Sequence, residues 1–74
     1  MEYFSKQILD MGEEEINKTF YKQFVKVLLA DSLEICGIVE EIGISANGEH
    51  LPVTIKVKGR NIDVLRINKI ICYE

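Results

Sequence analysis

Two hydrophobic periods divide this chain. Over Lys6–Phe24 the apolar positions Ile8, Leu9, Met11, Ile16, Phe20 and Phe24 recur at helical spacing, and Ile16/Phe20 and Phe20/Phe24 are i,i+4 pairs. Residues 1–23 are therefore predicted as an amphipathic helical segment, with Ser5 as a candidate cap. Gly12 interrupts the pattern and costs ~1 kcal/mol relative to Ala, which predicts a loose start and a firmer helix from about Glu13. Glu13, Glu14 and Glu15 then fall in the first turn, where the helix dipole favours acids and solvent covers them.

From Phe24 the period becomes two. Val25, Val27 and Leu29 take one face of a first strand; Lys26, Leu28 and Ala30 take the other. Asp31-Ser32 has turn chemistry. A second strand is predicted over about Leu33–Ile44, with Leu33, Ile35, Gly37 and Val39 on one face. Its alternation breaks at Glu40-Glu41-Ile42, the signature of a bulge or bend. Gly37 inside it fits sharp curvature. The polar loop 45–50 contains an Asn-Gly pair, and Pro52 opens a third strand. There Val53, Ile55 and Val57 face in, and Thr54, Lys56 and Lys58 face out. A tight turn at Gly59-Arg60, a fourth strand over Asn61–Ile67, a short connection at Asn68-Lys69 and a fifth strand over Ile70–Tyr73 complete the pattern. The prediction is one mostly-β domain, 1–74: an N-terminal α-helix followed by a five-stranded, strongly bent antiparallel barrel of the SH3-like or Sm-like kind.

Composition changes this picture in few places. The 74 residues suit one small domain, of a size that buries only ~60% of its unfolded surface. Oligomerisation is the expected extra source of stability. Cys36 and Cys72 form no Cys-x-x-Cys pair, and the single His50 cannot complete a usual zinc set, so neither metal nor cofactor is expected. The cysteines read as small apolar residues of a reducing compartment. No signal segment and no membrane-length apolar run is seen, so a cytoplasmic protein without membrane contact is expected.

The net charge of −3 is uneven. Residues 1–50 hold four basic and ten acidic side chains, a net −6; residues 51–74 hold five and two, a net +3. Any nucleic-acid contact is thereby confined to the C-terminal half. No nucleophile–base pair is visible. Glu40 and Glu41 are adjacent in a strand and point to opposite faces, so they cannot flank one bond. An enzyme acting on a small-molecule substrate is not expected.

One resemblance adds to this reading. Val25-Lys26-Val27-Leu28-Leu29-Ala30-Asp31, followed by Leu33-Glu34-Ile35-Cys36-Gly37-Ile38-Val39-Glu40-Glu41-Ile42, resembles the first motif of the Sm-like superfamily, which includes the bacterial RNA-chaperone Hfq proteins. Arg66-Ile67-Asn68-Lys69-Ile70 resembles its second motif; Lys58-Gly59-Arg60-Asn61-Ile62 offers a rival register. Gly43 stands where the family carries Asp, and His50 is the nearest candidate for its base-stacking residue. The resemblance implies a homo-oligomeric ring of six or seven subunits, joined by strand four of one and strand five of the next. It also implies single-stranded RNA near the pore, held by Asn47, His50, Arg66, Asn68 and Lys69. Lys56, Lys58 and Arg60 form a second basic stripe. The alternative is an SH3-like interaction or assembly module without RNA, using apolar surface at Phe24, Leu28 and Ile38.

Overall fold

The computed structural model describes residues 1–45 and 52–73. Its elements are β1 (Glu2–Phe4), α1 (Ser5–Leu9), α2 (Glu13–Phe20), β2 (Phe24–Leu29), β3 (Glu34–Ile44), β4 (Pro52–Val57), β5 (Arg60–Asp63), a 3-10 turn (Val64–Arg66) and β6 (Ile67–Cys72). The domain is mostly β with short helices near its N-terminus. All strand pairs are antiparallel, in the order β1-β6-β2-β3-β4-β5. This corrects the expected closed five-stranded barrel. Among the described residues the sheet has six strands and stays open, with β1 and β5 as its edges.

The helical segment departs from expectation at both ends. Glu2–Phe4 pair with Ile71–Lys69 as an edge strand, and the Met1 amino group and carbonyl extend that ladder to Cys72. Asp10–Gly12 separate α1 from α2, so the glycine break is real. Gln7 Oε1 accepts from the Phe4 N–H at 2.9 Å and closes the first turn of α1. The three acids do occupy the first turn of α2. Ile16 and Phe20 are fully buried, but Phe24 is not. The helix ends at Phe20, and Lys22 turns the chain with φ +61°. Phe24 then starts β2 on its outer face.

β3 carries the architecture. Its first half pairs with β2 (Phe24↔Ile38 through Leu28↔Glu34) and its second half with β4. Between Val39 and Glu41 the register shifts against β4, leaving Glu40 as an extra bulged residue. The Glu40 carboxylate accepts the Gly59 N–H at 2.7 Å, so the bulge fastens the next hairpin turn. Gly37 is needed for closeness: a β-carbon there would lie 2.9 Å from Val57 Cγ1 and 3.0 Å from Lys58 Cγ. At Gly43 a β-carbon would run into the Thr54 hydroxyl, so a side chain there requires Thr54 to turn aside.

The hairpin turn falls at Lys58-Gly59, one residue earlier than predicted. Both residues have positive φ (+53° and +74°) between the paired Val57 and Arg60, which matches the right-handed twist of the strands. The predicted fourth strand also ends early. Asp63 Oδ1 accepts the Leu65 N–H at 2.9 Å and caps a 3-10 turn. Asn68-Lys69 is consequently strand, not connection, and Asn68 is the unmatched residue where Leu28↔Lys69 gives way to Leu29↔Ile67.

The concave side of the bent sheet and the two helices enclose one apolar core. Phe20, Ile8, Ile16, Ile55 and Ile70 are its largest fully buried side chains. No polar or charged side chain is buried among the described residues. Tyr3 lays its ring edge-on to Phe20, with centroids 5.2 Å apart and planes at 79°. No described helix is long and apolar enough to cross a membrane.

Candidate functional site

The expected RNA-contacting side chains do not form one cluster. Asn47 and His50 lie outside the described residues. Lys69 sits on the outer face of β6, where Glu2 Oε1 accepts from its Nζ at 2.7 Å and the Phe4 ring lies 5.7 Å away. That hydrogen bond, with the lysine's charge, holds the Glu2 carboxyl below the usual carboxylate range. Arg66 ends the 3-10 turn, and its guanidinium lies 3.6 Å from Asp31 in the β2–β3 turn. Asn68 is exposed at its bulge. Pairing to β1 takes up the outer edge of β6 from Lys69 to Ile71. A ring joined through that edge requires Glu2–Phe4 to leave it.

The second basic stripe is also divided. Lys56 lies 3.9 Å from Glu41, its ladder partner. The Lys58 stem lies over Gly37 from the hairpin turn. Arg60 points elsewhere. It pairs with the buried Val57 on the core side, and it emerges at the mouth of the curled sheet. Arg66 lines the same mouth. The two arginines and Leu29, Leu33, Ile35 and Ile62 line a hollow of about 150 Å³, together with Glu34 and Asn61. A larger hollow of about 340 Å³ is walled by Asn17, Tyr21, Thr54 and Asn61 beside Gly43. Its carboxylate, Glu41, already faces Lys56.

The apolar alternative residues are brought together. Strand alternation places Phe24, Lys26 and Leu28 on the outer face of β2, opposite the buried Val25, Val27 and Leu29. Cross-strand partners share a face. Ile38 pairs with Phe24, Cys36 and Ile71 with Lys26, and Glu34 and Lys69 with Leu28. Glu2 and Phe4 of β1 extend the same face. Tyr73 donates its N–H to the Phe24 carbonyl and sets its ring 6.0 Å from that of Phe24. The exposures of Phe24, Ile38 and Tyr73 are 49%, 54% and 46%. The sequence reading missed Tyr73 and Phe4 here. Tyr73 ends the predicted fifth strand, but its neighbours depend on long-range pairing.

Neither Cys36 nor Cys72 forms a disulfide among the described residues. Cys36 lies on the outer face opposite Lys26, and Cys72 on the core face opposite Val25. Two strand spacings, about 10 Å, separate them, well beyond disulfide reach.

No protein-family model matches this chain, and neither a curated protein nor a solved structure matches it.

Proposed function

We propose that this domain is a non-catalytic assembly module that docks its outer sheet face against the same face of a second copy. The observation that carries this reading is the uncovered row Tyr73-Phe24-Ile38. Each side chain is about half exposed, on a sheet whose other face carries the core. Half-exposed aromatic rings offer about 100 Å² each. Phe24, Tyr73 and Ile38 together therefore present about 300 Å² of apolar surface, within the range at which a patch on a small protein is commonly functional. Its charges alternate in sign (Glu2 and Lys69, Lys26 and Glu34), which suits self-complementary pairing.

RNA binding is supported less well. Lys56 and Lys69 each face a carboxylate within 4 Å, and Arg66 stands apart from both on the 3-10 turn, so the expected cations offer no single track for phosphates.

Light scattering of the whole chain tests the reading. The expected mass is twice 8.5 kDa, and Ile38→Lys is expected to give a monomer with an unchanged circular dichroism spectrum. A wild-type monomer overturns the proposal. A mass of six or seven subunits that binds uridine-rich RNA returns the ring reading in its place.

A further inference from the structure

The hollow at the mouth of the curled sheet is built from segments far apart in sequence. Leu29 and Leu33 flank the β2–β3 turn, Ile35 follows on β3, and Ile62 comes from β5. Their side chains give an aliphatic floor continuous with the core, since Leu29 and Ile62 are themselves core residues. The rim is cationic: Arg60 and Arg66 stand over it. Arg60 makes no ion pair among the described residues, whereas Arg66 faces Asp31 at 3.6 Å. Both Arg66 and Asp31 are more than half exposed there, so solvent keeps that pair weak and exchangeable.

From this geometry we infer that the mouth captures the C-terminal residue of a partner protein, with a large aliphatic side chain on the floor and the terminal carboxylate on the two arginines. Three features select that occupant. A volume of about 150 Å³ takes one side chain and not a fused ring system or a lipid tail; an apolar cavity of about that size accepts a benzene-sized molecule. Guanidinium forks suit a carboxylate geometrically. β5 is an edge of the sheet. Ladder alternation in its hairpin with β4 turns the Asn61 N–H and C=O away from β4, so an extended peptide can pair there beside the hollow. A nucleic acid is the poorer fit. The floor has no aromatic ring for a base to stack on. Glu34 borders both the hollow and the outer face, but Arg60, Arg66 and the aliphatic floor lie off that face, so the site holds whether or not the domain dimerises.

The test is an NMR titration of the full isotope-labelled chain with acetyl-Gly-Ser-Gly-Ser-Leu. The peptide is supplied once as the free acid and once as the C-terminal amide, and hexauridylate is titrated in parallel. The free acid is expected to move the amide signals of Leu33, Ile35, Asn61 and Ile62. Amidation, Arg60→Glu or Arg66→Glu is each expected to weaken binding about tenfold or more. Lys58→Glu, a charge change of the same size away from the hollow, is expected to leave it intact. Both arginines are exposed, so the variants are expected to stay folded, and their spectra report that directly. Equal affinity of acid and amide, no shifts at millimolar peptide, or shifts with hexauridylate alone overturns the inference.

Discussion

Phe20 joins the two halves of the molecule, and truncating it gives a sharp test of the packing. Its ring is fully buried at the end of α2 and meets the edge of Tyr3 on β1. Phe→Ala at such a site costs about 3–5 kcal/mol. A domain of 74 residues has only about 4–11 kcal/mol in total, so Phe20→Ala is expected to remove a large part of its stability. Phe20→Leu is the informative variant. It keeps the first four side-chain carbons and loses the outer ring, which puts the cost at about 1–2 kcal/mol. In a domain of this size that lowers Tm by about 4–16 °C. The aromatic contact adds a second number. A double-mutant cycle of Phe20→Leu with Tyr3→Leu is expected to give a coupling of about 0.5–1.5 kcal/mol. Both quantities come from urea unfolding followed by circular dichroism. A loss below about 0.5 kcal/mol for Phe20→Leu, or costs that simply add, would mean that β1 and α2 do not share this ring.

Two further perturbations probe local devices. Ser32 holds φ +72° in the β2–β3 turn, so Ser32→Gly is expected to raise stability by about 0.5–1 kcal/mol, and a fall in the urea midpoint would refute that account. The Glu2 carboxyl is held below its ordinary value of 4.5 by Lys69. Its stabilising effect is therefore present above the ordinary carboxylate value and is lost as pH falls through the lowered one. The Glu2 side-chain carbon signal should titrate below that of an unpaired glutamate, and Lys69→Met should return it to the usual range. An unmoved titration in Lys69→Met would show that the pair is absent in solution.

Much of the fold was legible because its signals are local. Strand alternation gave Val25, Val27 and Leu29 as a core face, and the same holds for Ile55 and Val57. The broken pattern at Glu40-Glu41 marked a bulge, since an extra residue shifts the period wherever the partner strand lies. Gly12 marked the helix break. The errors also have a local cause. Leu65 keeps an apolar side chain at 76% exposure, so the pattern ran through a 3-10 turn that only the Asp63 cap reveals. Glu2–Phe4 form a strand because β6 offers them an edge, and nothing within their own sequence states that.

The chain by itself determined the alternating faces of its central strands and where it bends, because periodicity and turn chemistry act over a few neighbouring positions. Tertiary structure decided everything that depends on two distant segments meeting. It set β1 on the edge of β6, left β5 open, drew Lys69 and Arg66 to separate carboxylates, and brought Arg60 to Arg66 over an aliphatic floor. The physical reason is that strand pairing is chosen by the whole core at once. A side chain's periodicity tells which way it points, but its neighbours are set by which edge of which strand reaches it first with a matching apolar face.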